Sequence, residues 1–474
     1  MTTSTSPRAP SPTWSEAECT AVCNQIIQLA RRGGTTAIAL RHRQISDTSW
    51  MRGRVALNRT VETTDITITR RRDDAEATIR TTASDPESLR DAMARVEEAL
   101  SVVIGDKTAP PGRSWTIDDP GSMLHPALWS EPTATYDAEA RTTLVESLIA
   151  PANSAGMLSA GTVRTTTDAH MTVSANGQRR YYPTTTVECS MTVRDPKGTA
   201  SGWAGINHYD LTKIDPAALA SRALTKCQAS ANPRAVEPGR YTVILEPQAT
   251  ADLVSPLIGG FGAESKNTMG RWVAEVFGYG PFGRKPGVTR IGEYVIDRRL
   301  DLRSDPMDPD GGFIPYTERD GAPYRPVTWI ERGMLKALSY DYYYGLTRLH
   351  TDVAYPCPDS YRLSAAPGAP AVSVPDMIAK TERGLLVTRF SGMIESDGAS
   401  ALYTGYTRDG IWLIEHGKIS RPVKNLRFRE SPLFALNNVL DVGPAERVYA
   451  PDKSWIAPAL RVDDFAFVGL SDAV

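Results

Sequence analysis

The chain has 474 residues, 41% hydrophobic and 23% charged, with a formal net charge of −2. That length exceeds one ordinary core and calls for two or three domains, and the composition is that of a soluble globular protein. A charge so near zero excludes a general affinity for nucleic acid or anionic membrane, and no apolar run approaches the ~20 residues that span a bilayer.

Residues 1–13 are rich in Ser, Thr and Pro without an apolar core, and read as a flexible tail and not a signal peptide. Ser15 and Glu18 form a capping box. Behind them Val22, Cys23, Ile26, Leu29 and Ala30 make an apolar stripe that ends at Arg31-Arg32 and Gly33-Gly34. Residues 36–42 alternate, and 60–70 with 76–82 predict a hairpin around Asp73-Asp74; the flanking Arg70-Arg71-Arg72 then reads as solvated charge beside a turn. A second helix opens at Asp85-Pro86, with Leu89, Ala92, Met93, Val96, Ala99, Leu100 and Val103 at helical spacing. The stretch 108–126 is a Pro-punctuated loop and a possible sub-boundary, and Asp137 caps a third helix to about Ile149.

Four or five short strands follow: 156–167, 170–175, 178–186 and 187–194. Asn176-Gly177 between alternating runs marks an antiparallel meander. Asp215-Pro216 opens a helix to about Gln228, and 231–239 is a linker. Beyond it the sequence is strand-rich with Gly and Pro turns. The predicted class is α+β: a tail (1–13), an N-terminal domain with antiparallel sheet and helices (14–230), and a larger β-dominated C-terminal domain (239–474). Trp329–Leu335 and Trp412–Ile419 resemble one another and read as two hairpins of one sheet system.

The residues that could carry chemistry are scattered. Five cysteines (19, 23, 189, 227, 357) show no CxxC or zinc spacing, so a reducing, cytoplasmic location is expected. Asp168-Ala-His170 and His208-Tyr-Asp210 offer ligand-type pairs, against the plainer reading of polar side chains on an exposed strand face. Asp305, Asp308 and Asp310-Gly311 suggest part of a calcium loop, but Pro306 and Pro309 break its spacing, so a turn-rich connection is the reading. Gly259-Gly260-Phe261-Gly262 lacks the ending of a phosphate loop and predicts close packing; Ser255 has no neighbouring base and reads as a cap. Tyr340, Tyr342, Tyr343 and Tyr344 with Asp341 read as a strand whose tyrosines pack inward or face a groove.

An ordered set of stretches resembles the TldD/PmbA family, in particular the branch called TldE or PmbA. Thr404-Gly-Tyr-Thr-Arg-Asp-Gly-Ile-Trp-Leu-Ile-Glu-His-Gly417 with Pro422-Val423 is the most specific, with His416 where the family has Asn. Asp305-Pro306, Pro309, Gly311-Gly312 and Asp320-Gly321 resemble the family's Pro- and Gly-rich loop. Trp329–Leu338 resembles its Glu-Asn-Gly hairpin, and the strand followed by residues 251–265 resembles its strand-then-helix.

The resemblance implies a zinc peptidase system. TldD-branch members carry His-Glu-x-x-x-His on this helix and a Cys near the C-terminus. Three ligands leave zinc an open position for a hydroxide-like water, and the Glu shuttles its proton. Here the corresponding positions are Ser255, Pro256 and Gly260, and no cysteine follows Asp441-Val442-Gly443. The resemblance thus implies a subunit without catalytic residues, metal or cofactor of its own. Zinc would belong to a TldD-like partner in a heterodimeric metalloprotease, with this chain holding extended peptide, in general proteolysis or in a specialised biosynthetic pathway. Glu264, Tyr403, Thr404, Tyr406 and Arg408 are the candidate substrate or partner contacts. Family members have also been labelled modulators of DNA gyrase; nothing basic here favours DNA. Two alternatives stand beside this: an independent zinc-free enzyme built on the old cleft with Glu264 and Tyr or Arg residues, and a homodimeric binding or scaffold protein.

Overall fold

The computed structural model describes residues 13–105, 124–263, 280–285, 288–318, 321–351, 353–451 and 453–471, without the side chains of 284, 285, 343 and 348. Within them are two large sheets. The first has the order β3-β2-β1-β4-β5-β6, all neighbours antiparallel: β1 (Thr35–Met51), β2 (Arg54–Arg72), β3 (Ala75–Thr81), β4 (Leu158–Val173), β5 (Arg179–Arg194) and β6 (Ser201–His208).

The helices α1 (Glu16–Leu29), α2 (Pro86–Gly105), α3 (Glu131–Ala134), α4 (Ala138–Ser154) and α5 (Pro216–Ala229) accompany this sheet. The expected capping box at Ser15 and Glu18 is present, and Asp137 and Asp215 cap α4 and α5. Ile38, Leu40, Ala169 and Met171 meet α1 and α2; Trp50, Val163, Cys189 and Met191 meet α4 and α5. Even residues of β1 pair with odd residues of β4, so both groups lie on one face of the sheet.

The meander is longer and simpler than its sequence reads. The four expected segments between 156 and 194 are two continuous strands joined at Asn176-Gly177, because Thr-rich runs tolerate both faces and give no break. β6 is an addition. The other face of the sheet is polar yet enclosed: Asp168, His170, Thr184, Glu188 and Asn207 are all buried. The expectation of an exposed polar strand face is therefore corrected, since the C-terminal part covers it.

The second sheet runs β12-β11-β10-β13-β21-β7-β14-β17-β18, with β15, β16, β19 and β20 joined beside β21. Its strands are β7 (Gly239–Leu245), β10 (Leu300–Ser304), β11 (Val327–Glu331), β12 (Met334–Leu335), β13 (Ser360–Ala365), β14 (Arg383–Val387), β15 (Phe390–Asp397), β16 (Leu402–Thr407), β17 (Ile411–Glu415), β18 (Lys418–Pro422), β19 (Leu426–Glu430), β20 (Val439–Val448) and β21 (Ser454–Leu470); β8 (Gly283–Lys285) and β9 (Val288–Thr289) pair separately. The two look-alike hairpins, β11-β12 and β17-β18, are the two ends of this one sheet.

The tyrosine stretch is not a strand. Asp341 caps a single turn, Tyr342–Tyr344, while Tyr340 sets its ring edge-on to Tyr355.

The connection between β10 and β11 holds the two parts together. Tyr316 is fully buried, and its hydroxyl lies 3.1 Å from the carbonyl of His170 and 3.3 Å from that of Arg180. His170 Nδ1 is 2.6 Å from Glu318, and Arg180 donates to the carbonyl of Gly321. The Asp-rich part of the same connection is a turn tied by Arg362, which takes both oxygens of Asp308 at 2.6 and 2.7 Å.

Candidate functional site

β7 feeds directly into α6 (Pro247–Val254), with Pro247 in the first turn where its missing N–H costs nothing. After Val254 the chain tightens into a 3-10 segment, Ser255–Phe261. Pro256 has no N–H for the α ladder, and the two successive glycines at 259 and 260 weaken the helix further. Leu257, Ile258 and Phe261 are buried in the C-terminal core, with the Phe261 ring tilted against Phe282 at 4.5 Å and edge-on to Trp329 at 5.9 Å. Ser255, Pro256, Gly259 and Gly260 are left on the outer side.

The glycines differ. A Cβ on Gly260 would stand 2.7 Å from Pro281 Cγ, whereas a Cβ on Gly259 meets nothing within 4 Å. Close packing is therefore required at Gly260 alone. Ser255 has helical dihedrals and donates its N–H to the carbonyl of Ala251, and no side-chain cap is formed there, contrary to the expected capping role: the helix continues through it and does not start at it.

Around this turn, Tyr403 donates from its hydroxyl to the Pro256 carbonyl at 3.2 Å, with Glu395 at 3.5 Å. Burial, with Glu395 beside it, pushes the Tyr403 phenol up to about 12. The far side is fixed by Ser339, which exchanges backbone bonds of 2.8 Å with Phe261 and Ala263.

One turn before Ser255, Asp252 points inward. Its oxygens accept from the Phe390 N–H and the Gln248 amide, each at 2.9 Å. Burial raises its carboxyl to about 6, against the pull of Arg389 and these two bonds. Sequence reading missed this residue; the available signal was a lone acid, Asp252, in an otherwise apolar helix.

The expected contacts do not form one group. On β16 Tyr403, Gly405 and Thr407 are buried, so Tyr403 faces the turn while Thr404 and Tyr406 project from the opposite face. Thr404 donates to the Phe428 carbonyl at 2.9 Å and accepts from Arg427 at 3.2 Å. Tyr406 lies over Gly392 and is 38% exposed. Arg408 sits past the strand end, its Nε 3.8 Å from Asp409. Glu264 lies outside the described residues.

Ser255 and Gly260, which the resemblance aligns with the two His ligands, offer a hydroxyl and no side chain, and Pro256, aligned with the Glu, offers no base; this set does not fit zinc. Among the described residues no group of three or more His, Cys, Asp and Glu could hold a metal ion. The two ligand-type pairs do not meet. Asp168 is held by Arg41 and Arg43, each at 2.8 Å, and His208 Nδ1 accepts from the N–H of Asp210 at 2.9 Å.

Comparison with known proteins gives this architecture a class. Residues 238–469 match the PmbA/TldA metallopeptidase C-terminal domain. The fold is shared with TldE from Thermococcus kodakarensis (16% identity, TM-score 0.75, covering 95% of this chain and 100% of that one). It is also shared with a Thermotoga maritima protein described as a modulator of a DNA gyrase (14%, TM-score 0.77, 95% and 100%). A Bacteroides thetaiotaomicron protein described likewise gives 14%, a TM-score of 0.75, and coverage of 96% and 100%. No curated protein sequence is matched. The architecture is α+β, with a larger β-rich C-terminal part. Its C-terminal part, residues 238–469, carries the PmbA/TldA metallopeptidase C-terminal domain, and the chain as a whole shares the fold of these structures.

Proposed function

We propose that this chain is a TldE-like, metal-free subunit that completes the substrate cleft of a TldD-like zinc peptidase. The observation that supports the reading is the turn 255–261, which follows strand and helix and carries Ser255, Pro256 and Gly260, the residues that the resemblance aligns with the peptidases' first His, Glu and second His. In this reading the partner supplies zinc and the attacking water, and this chain binds the peptide.

Strand addition is the binding mode we favour. Among the described residues β15 pairs only with β16, so its outer edge is open, and Glu395 on it lies beside Tyr403 and the turn. An extended peptide on that edge would be held by backbone hydrogen bonds, with no catalytic side chain required. Tyr403 is then a positioning residue through Pro256, while Thr404, Tyr406 and Arg408 are contacts to partner and not to substrate. We place the complex in the cytoplasm, in keeping with five free cysteines, and take the substrates to be unstructured or modified peptides, including intermediates of a biosynthetic pathway.

The test is co-expression with a chain carrying His-Glu-x-x-x-His, followed by native mass measurement. A 1:1 complex is expected. Two homo-oligomers that ignore one another would sink the proposal and favour the homodimeric scaffold.

A further inference from the structure

A cavity of about 320 Å³ lies at the seam between the two sheets, away from the turn described above. Its walls come from the β5–β6 turn at Gly198 and Thr199, from the link after α5 at Asn232 and Pro233, and from Ile411, Val423 and Lys424 of the C-terminal part. Domain seams of this size are common small-ligand sites.

The cavity is built and is not a packing gap. Asn232 takes a left-handed φ of 55°, which turns the chain around one side. Gly410 forms another wall with a φ of 121°; a Cβ there would stand 2.4 Å from the Trp412 ring behind it. Trp412 is itself fixed by a 2.9 Å bond from its indole N–H to the Ala229 carbonyl. The Arg234 backbone bonds to the Pro422 carbonyl at 3.2 Å and to the Lys424 N–H at 3.1 Å, closing the remaining side.

The lining has one charged residue, Lys424, and no acid. Asp195 and Asp409 lie close to lining residues in the chain without lining the cavity themselves. Asp195 accepts from Ala200 at 2.7 Å and Thr199 at 3.0 Å, and Asp409 is 3.4 Å from Arg389. Among the described residues neither the Lys424 ammonium nor the Asn232 amide has a hydrogen-bond or ion-pair partner. Pro233, Ile411 and Val423 supply apolar wall. One cation, the Asn232 amide, neutral polar groups from Ser201, Ser230 and Asn425, and an apolar wall suit a monoanion with a short apolar tail. With no acid in the lining, an ammonium beside that anion would face Lys424, which disfavours a free amino acid.

We propose that this seam cavity binds a small carboxylate whose amine is acylated or absent, such as an acylated amino acid or the C-terminus of a peptide. Lys424 and Asn232 take the carboxylate, and Pro233, Ile411 and Val423 take the apolar tail. The inference stands independently of the cleft reading, because no residue of the turn or of β15 lines the cavity.

Isothermal titration of the full chain decides it, using N-acetyl-leucine, an N-acetylated pentapeptide ending in leucine, N-acetyl-leucinamide and free leucine. Saturable binding of an acid is expected, with the amide at least tenfold weaker on the loss of a charge-assisted contact and free leucine at least tenfold weaker because its ammonium would face Lys424. Lys424→Glu should abolish it and Lys424→Arg should retain it. Binding of the pentapeptide names a peptide terminus as the source; binding of the short acid alone names a metabolite. Equal binding of acid and amide, no effect of Lys424→Glu, or no acid binding at millimolar concentration would overturn the proposal.

Discussion

At position 260 a side chain has no room, and at 259 it has open space, although both residues are glycine on the same short turn. The clash with Pro281 is with a ring that cannot swing away. Gly260→Ala should therefore lose roughly 1–3 kcal/mol of stability by overpacking, more than the ~1 kcal/mol that removing a helical glycine returns. Gly259→Ala should be neutral or stabilising by up to about 1 kcal/mol. Chemical denaturation of the two variants checks the contrast; equal behaviour would contradict it.

Asp252 gives a second prediction for a single residue. Its folded pKa, about 6, lies above the ordinary 3.8. Its protonated form thus adds stability that is full below about 3.8 and lost as pH rises through about 6. Asp252→Asn should flatten that part of the melting-temperature profile between pH 4 and about 7. An unchanged slope would show that the carboxyl is not the source.

Among the elements, the connection from β10 to β11 behaves as a strap. Tyr316 donates its one hydroxyl proton into a buried pair of carbonyls at His170 and Arg180. Tyr316→Phe should cost about 1–2 kcal/mol, read by denaturant midpoint, and Tyr316→Ala about 3–5 kcal/mol through the added cavity.

This strap also marks what the sequence could convey. Asp308, Pro309 and Gly311 read correctly as a turn-rich connection, because turn chemistry is local. That Tyr316, Glu318 and Gly321 reach the N-terminal sheet was not legible, since nothing local in either segment encodes a contact about 150 residues away. The same division holds elsewhere. The caps at Ser15, Asp137 and Asp215 and the Asn176-Gly177 turn were readable in place. The enclosure of Asp168 and His170 was not, because an alternating polar strand looks the same whether its polar face meets water or a second domain. Likewise β16 yielded four neighbouring candidates, and only the pleat decides that Tyr403 faces the turn while Thr404 and Tyr406 face away.

For the whole molecule, residues 238–469 carry the PmbA/TldA metallopeptidase C-terminal domain, and the fold is shared along nearly the whole chain. No helix among the described residues is long and apolar enough to cross a membrane. The proposed function rests on a division of labour: peptide binding here, zinc chemistry on a partner. That proposal depends on the residue types at Ser255, Pro256 and Gly260, which are read directly from the sequence and lie in the 3-10 segment after α6. The decisive measurement is peptide hydrolysis by the purified chain alone and with a His-Glu-x-x-x-His partner, with metal analysis of each. No hydrolysis and no stoichiometric zinc are expected for the chain alone, and chelator-sensitive hydrolysis should rise with added chain to a 1:1 ratio. Chelator-resistant hydrolysis by the chain alone, or stoichiometric zinc bound to it, would refute the division of labour.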